Sequence, residues 1–152
     1  MSNSYTFHAP GKPAPQGSKK VHRYIKGRAI LGESSAAVDP WRKVVASCAR
    51  RLQPEQWHAK LPVSLTLTFV FARPNDQYIN NRPGPGRLKP NAPQHCTKRI
   101  GDLDKLCRAV CDALTGIAYD DDSQVFSINA ERRYATASES PGALITITTI
   151  DV

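Results

Sequence analysis

Between Leu61 and Pro74 the chain reads LPVSLTLTFVFARP. Val63, Leu65, Leu67 and Phe69 alternate with Ser64, Thr66 and Thr68, the period of a strand that buries one face and wets the other. Pro74 ends it, because proline cannot donate to a strand ladder. A one-faced strand needs an apolar layer against it.

Two stretches have the helical period. In DPWRKVVASCARRL, Trp41, Val44, Val45, Cys48 and Leu52 recur on one stripe. Asp39 is the expected N-cap and Pro40 fits the first helical position. Arg42, Lys43, Arg50 and Arg51 lie off that stripe, either as a solvated face or as phosphate contacts. The second helix is expected from Asp102 or just after, with Leu103, Leu106, Cys107, Val110 and Leu114 as its stripe and Gly116 placed to end it. SYTFHA (4–9) reads as a strand, KVHRYIKGRAIL as a hairpin around Lys26-Gly27, and SQVFSINAERRYA and GALITITTI as two closing strands.

The expected order is β, a ββ hairpin, α, β, a long loop, α, β, β. No repeat of fixed period and no linker divides the chain. A single domain over 1–152 is expected, long enough to bury a core. Residues 74–101 form a basic, Pro/Gly-rich loop; loops of that length are usually functional or disordered.

The most apolar run, LPVSLTLTFVFA, is too short to span a bilayer. The N-terminus lacks the charged start and apolar run of a secretory signal. The expectation is a cytoplasmic protein with no membrane role. Cys48, Cys96, Cys107 and Cys111 offer no paired C-x-x-C knuckle, even with His95 beside them. Small buried thiols are the better reading.

Charge says more. The chain is formally +8, yet residues 102–122 hold six of its thirteen acids against only Lys105 and Arg108. The remainder carries nineteen Lys and Arg against seven acids. A basic body attracts a polyanion, most often nucleic acid. Clustered carboxylates repel phosphate unless a divalent cation lies between them.

N-capping and the helix dipole account for Asp102 or Asp104. They do not account for YDDDSQV, where Asp120, Asp121 and Asp122 stand side by side before a strand; there the plain alternative is a solvated turn. A helix of residues 102–114 is about 20 Å long, so the next strand runs back along it. That return can bring Asp121 or Asp122 toward Asp102 and Asp104. Converging carboxylates suit Mg²⁺, with Mn²⁺ as a substitute. Such an ion makes hydroxide from water and stabilises charge on a scissile phosphate. Arg108 lies one turn after Asp104 on the same face. It either neutralises a carboxylate or holds charge developing on phosphorus. An EF-hand is excluded, because the D-x-D-x-D-G spacing is absent.

These residues carry a resemblance. TKRIGDLDKLCRAVCDALTGIAYDDDSQV resembles the signature of the RusA family of Holliday-junction resolvases: a D-L-D-N-L opening, a helix ending near D-A-L, and D-D-x-Q-hydrophobic at a strand start. FHAPGKPAPQGSKK is similar to the family's opening strand and basic loop, and SPGALITI to its last strand. The resemblance implies an α+β fold, one mixed β-sheet with two main helices. It also implies a homodimeric, Mg²⁺-dependent endodeoxyribonuclease that nicks four-way DNA junctions symmetrically in recombination and repair.

The family's catalytic aspartates fall on Asp102, Asp104 and Asp122, with Asp121 as the neighbouring acid in the metal site. The three-acid run leaves two registers, in which Asp121 and Asp122 exchange roles. The family's catalytic lysine is replaced by Arg108, which keeps the charge but weakens any role as a proton donor. The Asn after the second aspartate is replaced by Lys105. Expected DNA contacts are Lys19, Lys20, Lys98, Arg99 and Lys105, because a branched polyanion needs a broad basic surface. Two symmetric cuts call for a two-fold dimer. Two alternatives use the same residues: a metal-dependent nuclease for forks, flaps or general duplex, and a non-catalytic DNA-binding module.

Overall fold

A computed structural model describes residues 2–17, 19–33, 36–84, 86–136 and 138–151, with backbone alone for 19–25 and 29–33. The elements are β1 (Ser4–Pro10), β2 (Lys19–Ile25), β3 (Arg28–Glu33), α1 (Val38–Leu52), β4 (Val63–Phe71), α2 (Leu103–Leu114), β5 (Val125–Tyr134) and β6 (Gly142–Thr149). The expected order holds throughout.

The main sheet runs β1-β6-β4-β5. β4 and β5 are parallel, while β6 is antiparallel to both β1 and β4. The fold is therefore α+β with a mixed sheet, as the residue pattern and the resemblance imply. β2 and β3 form a separate hairpin. Its turn residues Lys26 (φ 51°) and Gly27 (φ 77°) both lie in the left-handed region, which matches the twist of flanking strands.

Register decides which side is core. Leu65 lies between Ile147 and Ile128, and Leu67 between Ile145 and Ala130. This face carries Phe7, Leu65, Leu67, Phe69 and Ile145, all buried beneath Trp41 and Val45 of α1 and Leu106, Val110 and Leu114 of α2. Each such side chain contributes about 1.5–3 kcal/mol on burial. The other face is hydroxyl-rich, with Thr6 and Thr146 bonded across strands at 2.8 Å.

The start of α1 differs from expectation, whereas α2 begins at Leu103, just after Asp102, as expected. α1 begins at Val38, with Ala37 at the cap and no side-chain cap. Asp39 is not the N-cap. Fully buried Val38 draws the first turn forward, so Asp39 falls inside it and its carboxylate accepts from Arg42. The buried stripe is Val38, Trp41, Val45, Cys48 and Ala49, and Leu52 is 47 % exposed beyond it. In α2, Asp102 does occupy the cap position, but its side chain makes no cap bond. The buried stripe there is Leu106, Ala109, Val110, Ala113 and Leu114, leaving Leu103 and Cys107 half-buried.

Among its described residues, the loop at 74–101 has only single 3₁₀ turns and an isolated Tyr78–Leu88 bridge. It is nonetheless tied down. Arg73 donates to the Gln77 side chain at 3.0 Å and to Pro93 O at 2.6 Å, and Lys89 N donates to Gln77 O at 3.0 Å. Gln77, buried, donates to the Tyr134 hydroxyl at 3.1 Å. Among the described residues, no helix is long and apolar enough to cross a membrane.

Candidate active site

α2 packs over the core face of the sheet but stops short of covering β5. An open cleft of about 890 Å³ remains between them. Asp104, Arg108 and Asp122 all line it, on a floor made by Cys107, Cys111 and Ile128 among others. The cleft therefore gathers two expected ligands and the expected cation from segments that are separate in sequence.

The start of α2 is held from two sides. Arg132 on β5 donates to Gly101 O at 2.5 Å and to Thr97 O at 3.2 Å. The Pro-rich N-terminal loop docks there as well, through Gln16 N to Lys105 O at 3.0 Å. Pro15 packs so closely on Gly101 that an added Cβ would meet its Cγ at 2.9 Å; Gly101 also has φ +104°, so only glycine is unstrained there. Asp102 follows directly. Its exposed carboxylate, free of capping, faces Lys105 at 3.8 Å.

The three-acid run is held by Gln124. Its Oε1 accepts from Asp120 N at 3.0 Å and Asp121 N at 2.9 Å, and its Nε2 donates to Ala59 O at 2.7 Å and Leu61 O at 3.0 Å. Asp121 caps the 3₁₀ turn that follows, accepting from Ser123 N at 2.8 Å. That bond holds the Asp121 carboxyl below the usual carboxylate range. Geometry thus separates the two registers: Asp121 is turned to the backbone and Asp122 lines the cleft.

Asp104 and Asp122 line the same cleft beside different neighbours. Asp104 presses on the Cys107 thiol, which burial foremost pushes up to about 11. Asp122 presses instead on Cys111 and Tyr119, both raised chiefly by burial, and Tyr119 donates its hydroxyl to Cys111 O at 2.8 Å. Strand β5 follows directly on the turn that carries Asp122 into the cleft beside α2. Among the described residues, no group of three or more His, Cys, Asp or Glu side chains is placed to hold one ion.

The donor chemistry still fits a hard divalent cation. Mg²⁺ is usually held by one or two carboxylates, with water and phosphate oxygens completing its shell. Exposed Asp104, Asp122 and uncapped Asp102 are the residues that would hold it. The thiols are not: Cys107 and Cys111 are free and kept protonated by burial.

The other expected residues scatter. Lys98 and Arg99 are exposed just before the acids, and Arg99 pairs with Asp76 at 2.9 Å. Lys105 is exposed on α2. The side chains of Lys19 and Lys20 lie outside the described residues. Asp112 faces Arg42 of α1 at 3.8 Å, a link between the helices. The Asp120 backbone is held by Ala59 and Gln124. Sequence reasoning missed Arg132 and assigned no role to Gln124. Gln124 stands in the D-D-x-Q signature, which is a usable signal. Arg132 has none, because its partners are carbonyls about thirty residues away.

Fold and cleft together define an α+β protein with carboxylates and a guanidinium facing one open groove. The chain matches the family described as Endodeoxyribonuclease RusA over residues 10–148, and it belongs to that family. A comparison with curated proteins found no match.

Proposed function

We propose that this chain is a divalent-metal-dependent endonuclease that resolves four-way DNA junctions by paired symmetric nicks, working as a homodimer where the cell's DNA is, in a bacterial or phage-infected cytoplasm. The observation that carries this reading is the joint lining of one exposed cleft by Asp104, Arg108 and Asp122 in a RusA-family chain.

Mg²⁺, or Mn²⁺ in its place, supplies the activated water and charge stabilisation when bound. Asp102, Asp104 and Asp122 would hold it, and Asp121 supports Asp122 by shaping the turn. Arg108 donates to a phosphate oxygen as negative charge grows there. It serves as an electrostatic clamp and does not protonate the leaving group. Lys98, Arg99 and Lys105, with Lys19 and Lys20, meet the backbones of the junction arms. Their attraction is offset locally by the acids, a repulsion that a bound divalent cation would relieve at the scissile phosphate, while the basic surface holds the remainder.

The test compares a synthetic four-way junction with a fork, a flap and linear duplex of the same sequence in Mg²⁺. Preferential, paired cutting of the junction is expected. Equal rates on all four substrates would sink the resolvase reading in favour of a general nuclease. Binding without cutting, equal in wild type and Asp104→Asn, would leave only a DNA-binding module.

A further inference from the structure

A second cavity, of about 660 Å³, opens where the ends of β1 and β4 meet the segment before α2. Pro10, Phe71, Pro74, Ile100 and Pro141 give it apolar walls, and exposed Lys12 and Arg99 line it as well. Among the described residues, no acid lines it. The walls are set before any ligand arrives. Three of them are prolines, whose φ is fixed. Gly11 N donates to Pro141 O at 3.2 Å, and Ala135 N to Phe71 O at 2.8 Å. The volume lies in the range of small-molecule sites, about 300–1,000 Å³. Arg99 also lines a smaller, polar hollow of about 350 Å³, together with Lys89 and Lys98. Asp76 stands there too and pairs with Arg99 at 2.9 Å, but their side chains are 62 % and 58 % exposed, so the pair holds the guanidinium only weakly. Lys89 and Lys98 make no ion pair among the described residues. One cation therefore stands between an apolar cavity and a cationic hollow. A nucleotide has the matching halves, a flat apolar base and an anionic phosphate.

We propose that these two hollows take one unpaired nucleotide of the branched DNA, with its base in the apolar cavity and its phosphate on Arg99, Lys89 and Lys98. Lys12 meets a neighbouring phosphate of the same strand. Position supports this. Arg99 stands three residues before Asp102, at most about 10 Å of extended chain. That span is about three nucleotides along a strand. The base is therefore held close to the phosphate that the acids would face. A paired duplex must first unpair and unstack a base to fill the cavity, whereas at a branch point the stack is already interrupted. The cavity thus favours branched over linear DNA beside the cut. This inference rests on the DNA-directed reading above.

The probe is a four-way junction carrying 2-aminopurine, in turn, at each position within about three nucleotides of the branch point. It is bound in metal-free buffer, so that nothing is cut. The emission of 2-aminopurine rises when the base leaves the stack, and wild type should produce that rise at one position. Ala72→Leu combined with Ser140→Leu puts two larger side chains into the apolar cavity. Both positions are exposed, so the fold is spared, and far-UV circular dichroism checks it. This variant should abolish the rise and weaken junction binding about 10-fold, the order of one stacked base, with linear-duplex binding unchanged. If no position brightens with wild type, or the filled variant brightens as wild type does, the base cavity is overturned.

Lys89→Ala tests the phosphate half without touching the cavity. A plain surface charge would weaken junction and duplex binding alike, whereas the proposal expects the junction-to-duplex affinity ratio to fall; an unchanged ratio overturns the phosphate placement. Free deoxynucleoside monophosphate is the control for source. It lacks the flanking phosphates, so it should bind far more weakly than the junction. Tight binding of the monophosphate with no brightened junction base would assign the site to a free nucleotide and overturn its role in DNA. Cutting enters none of these readouts. If wild type cuts no DNA but a junction base brightens, the nuclease reading fails and the nucleotide site stands. If it cuts junctions with no base brightened, the nucleotide site fails and the nuclease reading stands.

Discussion

Arg132 on β5 donates from Nη1 to the carbonyl oxygen of Gly101 at 2.5 Å, and so ties the end strand of the sheet to the residue before Asp102. The same nitrogen reaches Thr97 O at 3.2 Å. One cation thus aims the segment that delivers the first two acids. Arg132→Ala should cost about 1.5–3 kcal/mol, the usual worth of hydrogen bonds to a charged group. The check is the shift of the urea unfolding curve at constant slope. Arg132→Lys should recover little, because an ammonium on a flexible stem lacks the planar fork. Cleavage should fall alongside stability, since Asp102 loses its anchor.

Asp121 and Asp122 are neighbours with different work. Asp121 accepts from Ser123 N and shapes the turn, while Asp122 faces the cleft. Asp122→Asn should lower the cleavage rate by about 10²–10³-fold, as loss of one electrostatic contact to a transition state does. Junction binding should survive, since a charge that repels DNA has been removed. Asp121→Asn should lower the thermal midpoint slightly and leave most of the cleavage rate. Single-turnover rates with a melting curve on each variant decide it; equal rate losses would contradict the split.

Arg108 tests clamp against acid. Arg108→Lys keeps a charge in the cleft and should retain most activity, whereas Arg108→Ala should lose about 10²-fold or more. The pH–rate profile of Arg108→Lys is the sharper readout. A guanidinium does not titrate in the working range, while an ammonium acting as proton donor adds a falling alkaline limb.

Cys107 gives a pH dependence with a defined sign. Burial first, then Cys111 and Asp104, push its thiol from 9.0 to about 11. The folded state therefore holds this proton more tightly than the unfolded chain. Its contribution is fully present below pH 9 and is lost as pH rises through 11. Wild type should lose stability across that window more steeply than Cys107→Ala, read as unfolding midpoints at several pH values. Cys107 should also alkylate roughly 10²-fold more slowly at pH 8 than an unshifted thiol, because two pKa units separate their thiolate fractions.

Gln124 joins the acidic turn to the loop before β4 with four hydrogen bonds. Gln124→Ala should cost about 1–3 kcal/mol through backbone groups left unpaired. Gln124→Glu keeps the acceptor for Asp120 N and Asp121 N but loses both donors, and it adds a charge beside three acids. It should destabilise at least as much, by urea titration. A neutral effect of both changes would remove Gln124 from the site's support.

Much of this protein is local, and the local part was legible. The alternation through Val63–Phe69, the stripe from Leu106 to Leu114 and the Lys26-Gly27 turn follow from backbone geometry acting over a few residues. So did the acidic run, whose composition points to a cation whatever its shape. The start of α1 was misread because buried Val38, a packing effect, outweighed the capping preference of Asp39. Which of Asp121 and Asp122 faces the cleft depended on a hydrogen bond to Ser123 that residue types alone do not choose.

The sequence by itself determined the elements, the charge separation and the chemical kind of ligand, because these depend on residue type and short spacing. Tertiary structure alone decided that β4 and β5 run parallel with β5 at the end of the sheet order, that Arg132 holds Gly101, and that Asp104 and Asp122 line one open cleft. Those are long-range relationships, set by how the sheet orders its strands and how far α2 reaches over them, and no short window of the chain contains both partners.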